Sequence, residues 1–147
     1  MYIIMKESIL IISILMFFFI FIYFGRNSVT FVEVNDKQYL VQNNDKKVQS
    51  AETLEEIEDR LYRLREFLIL NRNKYKEYDQ YIDLLAKNLT KKRTKIYEGV
   101  ENSEYTSYSV NKGEEIVFCL KSRKTKEIHD INLIMYVALH EISHLAC

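Results

Sequence analysis

The sequence predicts an α+β chain with a separate hydrophobic N-terminal segment. Three observations carry this. Residues 8–25 contain no charged side chain. Two later stretches repeat apolar residues at 3-4-3-4 spacing, and a third stretch near residues 105–120 alternates with period two. The chain has 147 residues, room for one ordinary domain plus an anchor or arm. Lys and Arg total 21, and Asp and Glu also total 21, a balance that argues against a general polyanion binder. With 48% hydrophobic residues, no proline and 3 glycines, neither wholesale disorder nor a Pro/Gly-rich β-sandwich fits. Two cysteines, Cys119 and Cys147, do not make a disulfide framework.

Residues 1–26 read as a transmembrane anchor. Ile9 to Phe24 is apolar all round, and eighteen residues at about 1.5 Å each give roughly 27 Å, near the thickness of a bilayer's hydrocarbon. Lys6 and Arg26 flank the run, and Tyr2 and Tyr23 sit where interface aromatics sit. A cleaved signal would have a shorter apolar run and small residues after it. A core helix would have a polar stripe. The expected location is therefore a single-pass membrane protein through residues 8–25. Its charge asymmetry leans toward a cytoplasmic body. Asn88-Leu89-Thr90 is a glycosylation sequon, usable only if that body is lumenal.

Residues 27–49 are either a linker or a short hairpin. Thr30 to Val34 and Gln38 to Gln42 alternate around Asn35-Asp36-Lys37. Ser50-Ala51-Glu52-Thr53 starts a helix, with Thr53 and Glu56 spaced as a capping box. Leu54, Ile57, Leu61, Leu64 and Leu68 give it an apolar face. Asn71-Arg72-Asn73 interrupts, and Tyr75, Tyr78, Ile82, Leu85 and Leu89 resume the pattern. Two helices, about 51–70 and 74–91, are expected to fold into a hairpin. Each seam is short for an oligomerising coiled coil, the alternative.

Lys87, Lys91, Lys92, Arg93 and Lys95 form a basic cluster. Cations at a helix C-terminus complement its dipole. Contact with nucleic acid or anionic headgroups is the sharper reading. Tyr105 to Val110 and Glu115 to Leu120 then flank Asn111-Lys112-Gly113-Glu114 as a β-hairpin. Ile116, Phe118 and Leu120 are expected to face the core, with Tyr108 and Val110 on the same side. Cys119 falls opposite, outside any strand–turn–helix nucleophile motif.

Asp130 is a suitable N-cap for a last helix. Ile131, Ile134, Met135, Ala138, Leu139, Ile142, Leu145 and Ala146 cover one of its faces, and His140 and His144 lie about 40° apart on the other. His140-Glu141-Ile142-Ser143-His144 is H-E-x-x-H. Imidazoles four residues apart on a helix can reach one Zn2+ ion at about 2.0–2.1 Å. A carboxylate just after the first ligand can act as general base on a zinc-activated water, which makes Glu141 the candidate catalytic residue. A chance match in a chain of this length is on the order of one in a few hundred.

The stretch Glu104 to Gly113, then Phe118-Cys119-Leu120, then Leu133 to His144, resembles the WLM-domain metallopeptidases, relatives of the SprT-like proteases. Membrane-tethered versions are similar to those encoded by large DNA viruses. The resemblance covers about residues 50–147. It implies that His140 and His144 hold zinc, that Glu141 is the base, and that a sheet edge aligns a protein or peptide substrate by β-augmentation. It also implies a third zinc-ligating histidine after the helix. His129 precedes the helix and Cys147 follows His144 by three residues, so neither matches that position. The domain therefore reads as incomplete at its C-terminus, with weak zinc binding and poor turnover. The expected function is a membrane-anchored zinc peptidase or a truncated or inactive member of that class. A non-enzymatic anchored interaction protein, using the helical hairpin and the basic cluster, is the alternative.

Overall fold

The computed structural model describes residues 2–24, 28–100 and 107–147, with the side chains of residues 8–23 in the first segment. The flanking cation Arg26 and the strand residues Tyr105 and Thr106 lie outside the described residues, as do the side chains of Tyr2 and Lys6. The chain is α+β, with four α-helices and two small sheets among the described residues.

The first helix, α1 (Tyr2–Phe24), has exposed side chains throughout residues 8–23. The structure overturns the expected membrane-spanning helix and the single-pass membrane location that followed from it. Among the described residues, no helix is long and apolar enough to cross a membrane.

A hairpin follows, β1 (Val29–Val34) with β2 (Lys37–Gln42), in antiparallel register with Val34 opposite Lys37. Asn35 and Asp36 have φ of 49° and 61°. A two-residue turn matched to strand twist needs left-handed backbone at both positions, which Asn and Asp tolerate best after glycine.

Helix α2 (Lys47–Leu70) begins a turn before the expected start. Thr53 therefore sits inside the helix, where its hydroxyl donates to the carbonyl of Gln49 at 2.8 Å and caps nothing. Ser50, Ala51, Leu54, Ile57 and Leu61 form its buried face. The second helix of the hairpin is shorter than its periodicity suggested. Two 3-10 turns, Arg72–Lys74 and Lys76–Tyr78, precede α3 (Asp79–Asn88). Arg72 bonds both Asp79 and Asp83, at 2.8 and 2.9 Å, and so ties the turn to the first exposed face of α3. Tyr78 is exposed and Tyr75 only half-buried, so little packing is available to extend the helix back to them.

The second sheet has the order β3-β5-β4. Strand β3 (Lys95–Glu98) runs parallel to β5 (Glu115–Phe118), and β4 (Tyr108–Val110) pairs antiparallel on the other side. Ile116 and Phe118 are fully buried, as is Leu120 beyond the strand. Tyr108 and Val110 do not join them. Tyr108 lies opposite Val117 and Val110 opposite Glu115, so they share the other face, and Tyr108 is exposed. The register is one residue off the expected one, which turns every side chain over.

One buried polar knot holds these pieces together. The ammonium of Lys121 donates to Glu98 at 2.6 Å and to the Ser50 hydroxyl at 2.9 Å. Glu98 also accepts from the backbone N–H of Gln42 at 2.9 Å, and the Gln42 amide donates to the Gly99 carbonyl at 2.7 Å. The ends of β2, α2 and β3 are thus fixed by partners that leave neither buried charge uncompensated.

Helix α4 (Ile131–Ser143) completes the fold. Asp130 accepts from the N–H of Asn132 at 2.9 Å and caps it. Ile134, Ala138 and Ile142 enter the same core as Leu54, Ile57, Leu61, Ile116 and Phe118. Leu139, expected on that face, is exposed.

Candidate metal centre on the last helix

His140 and His144 lie side by side on the exposed face of α4, with ring nitrogens Nε2 3.3 Å apart. The rings meet edge to face, with centroids 4.9 Å apart and planes at 87°. Two nitrogens each about 2.0–2.1 Å from a tetrahedral ion would be about 3.3–3.4 Å apart. The separation therefore equals one edge of a zinc coordination tetrahedron. The i, i+4 spacing alone brings the side chains together, and a well-capped helix with a buried back keeps the spacing.

Glu141 is 7% exposed. Among the described residues its carboxylate has no ion-pair partner.

The end of the helix is held from outside. Leu145, the residue after His144, is fully buried, and its carbonyl accepts from the amide of Asn88 at 2.7 Å. The Asn88 side-chain oxygen accepts from Arg93 at 2.5 Å, and Arg93 also donates to the carbonyl of Asn111 at 3.0 Å. Gly113, with φ of 88°, lies under the Leu145 side chain. A Cβ there would come within 2.4 Å of it. Asn88 is buried and uses both ends of its amide here, so the sequon it belongs to serves packing. Nothing in the sequence distinguished these residues. Asn88 looked like a sequon, Arg93 like one more cation and Gly113 like an ordinary turn glycine.

The other candidates fall elsewhere. The backbone N–H of His129 donates to Leu120 at 2.8 Å, where it closes the loop before α4. The Cys147 thiol donates to the Ser143 carbonyl at 3.2 Å. Cys119 is half-buried, with its N–H bonded to the Ser107 hydroxyl at 3.1 Å. Among the described residues, no group of three His, Cys, Asp or Glu is placed to hold a metal. The basic cluster is divided. Arg93 is structural, while Lys87, Lys91, Lys92 and Lys95 are exposed, with Lys91 over the Tyr62 ring at 5.6 Å.

The chain is similar to the uncharacterized protein R325 of Acanthamoeba polyphaga mimivirus. The two are 45% identical over 115 residues, which cover 78% of this chain and 57% of that relative. The chain thus spans little more than half the relative's length. No family model matches the chain, and no solved structure does. The comparisons therefore do not assign it to the WLM domain.

Proposed function

We propose that the chain carries the H-E-x-x-H half of a zinc-dependent peptidase centre of the WLM, SprT-like kind. The observation that supports this best is the 3.3 Å separation of the two imidazole nitrogens, with Glu141 between them in sequence. His140 and His144 would hold the ion. When bound, zinc supplies Lewis acidity that brings a coordinated water's pKa down toward about 7. Glu141 takes the proton from the attacking water and returns it to the leaving amine nitrogen. Strand β4 has no second neighbour among the described residues, so its outer edge can bond an extended peptide backbone.

Catalytic zinc normally takes three protein ligands. The described residues supply two, so water would complete the shell and turnover should be slow.

The test is hydrolysis of a casein or an internally quenched peptide by the full chain with added zinc, beside Glu141→Gln. The wild type should cleave. The variant should lose about 10²–10⁴-fold in rate while still taking up the metal. A zinc-loaded wild type that cleaves no faster than the variant would overturn the proposal.

A further inference from the structure

The exposed face of α4 is unlike the exposed face of α2. On α2, Glu52, Glu55, Glu56, Asp59, Arg60, Arg63 and Glu66 are spread along the helix, and Arg60 and Arg63 pair with acids one turn back. That is an ordinary solvated face. On α4, Glu141 is the one charged residue between Ile131 and Ser143, and it is buried. What α4 shows outward is Leu133 at 52% exposure, Tyr136 at 75% and Leu139 at 43%. At 100° per residue, Leu133, Tyr136, His140 and His144 fall within about 80° of the helix circumference. Tyr136 is one turn before His140, about 6 Å along the axis, and Leu133 is two turns before it, about 10.5 Å. An uncharged stripe with a large aromatic and a branched aliphatic side chain therefore runs directly into the imidazole pair.

Such a stripe loses free energy in water and gains it when covered. Its place limits what can cover it. A permanent partner seated on Tyr136 would also close the approach to the ring nitrogens of His140 and His144. An occupant that comes and goes would leave that approach open. We propose that Leu133 and Tyr136 receive a large apolar side chain of a bound peptide. The centre's substrates would then be segments with a Phe, Leu or similar residue next to the bond presented to the histidines. This inference rests on the proposed peptidase reading and specifies its substrate class. An extended peptide projects alternate side chains to opposite sides, so one apolar residue can lie on the stripe while its neighbours face solvent.

The experiment uses the full chain with zinc and fluorescein-labelled hexapeptides identical except for one central residue: Phe, Leu, Gly, Asp or Lys. Affinity is read by fluorescence anisotropy, and metal uptake is measured separately on the same samples. The Phe and Leu peptides should bind roughly tenfold or more tighter than the Gly, Asp and Lys peptides. Tyr136→Ser and Leu133→Ser should each remove most of that discrimination, with zinc uptake and thermal midpoint unchanged. Both positions are exposed, so neither variant opens a cavity in the core. Equal affinity for all five peptides with zinc uptake intact would overturn this inference alone. So would unchanged discrimination in both variants, or a stable dimer in sedimentation that Tyr136→Ser dissolves. Absence of zinc uptake would overturn the reading of the histidines, and this inference with it.

Discussion

The amide of Asn88 holds the carbonyl of Leu145 at 2.7 Å, so the last turn of α3 grips the chain one residue past His144. The bond is buried, and Arg93 fixes the other end of the same amide. Asn88→Ala would leave the Leu145 carbonyl and the Arg93 guanidinium without this partner. A loss of about 2 kcal/mol is expected, read as a thermal midpoint about 5 °C lower. Zinc affinity should fall as well, because His144 loses its tether. An unchanged midpoint would show that water replaces the bond at no cost.

Gly113 tests the same end of the helix from below. Its φ of 88° is disfavoured for other residues, and a Cβ would overlap the Leu145 side chain. Gly113→Ala should cost about 2–4 kcal/mol, adding backbone strain to overpacking. Combining it with Leu145→Ala should give less than the sum of the two single costs, since the clash is then gone. Strictly additive costs in urea titrations would remove Leu145 as the cause.

The Lys121–Glu98 pair lies where neither charge reaches water, with side chains 8% and 0% exposed. Lys121→Met strands the carboxylate and should destabilise by about 3–5 kcal/mol. Adding Glu98→Gln removes the stranded charge and should restore part of that loss. If the double variant is no better than the single one, the carboxylate is not the source of the cost.

Alkaline pH should weaken the fold through tyrosines. Burial, then the Glu58 carboxylate, push the Tyr62 hydroxyl up to about 12. Burial, then its hydrogen bond to Glu115, push Tyr97 up to about 12. Tyr39 is raised further, by burial and by its bond to Glu58. Each group keeps its proton more tightly folded than unfolded, where it titrates near 10. Their contribution is therefore full below about pH 10 and is lost as pH climbs toward 12. Stability measured in urea should stay level up to about pH 10 and then fall, and Tyr97→Phe should make that fall shallower. A fall of equal steepness in that variant would exclude Tyr97 as a contributor.

The pattern of residues revealed those parts of the fold in which one face is buried and the period is clean. Leu54, Ile57 and Leu61 announce α2, and Ile116 and Phe118 announce β5, because burial selects side chains at the period of the element. His140 and His144 were legible for the same reason, as two positions on one helix face. Strand β3 was hidden inside a basic run. Its pairing with β5 is parallel and non-local, and Lys95 and Tyr97 resemble a helix tail as much as a strand. The register of β4 was hidden too. Tyr108 and Val110 suit either face, and the left-handed turn at Asn111, Lys112 and Gly113 decides between them. The latch at Asn88 joins residues 57 positions apart, a distance over which local patterning carries no information.

The zinc affinity of the chain follows from the number of donors rather than their spacing. The Nε2 atoms of His140 and His144 already lie 3.3 Å apart, so much of the entropy of bringing them together is lost on folding. Among the described residues no third donor joins them, so water must fill the remaining positions. A single zinc should bind with a Kd above about 1 μM, far weaker than sites with a full protein ligand set. His144→Ala leaves one imidazole on an exposed helix, and binding should drop at least tenfold further, with the fold intact because the ring is exposed. Isothermal titration decides the matter. A submicromolar, one-to-one site would mean that a third protein ligand reaches the pair. Equal weak binding by wild type and His144→Ala would mean that the two imidazoles never act together.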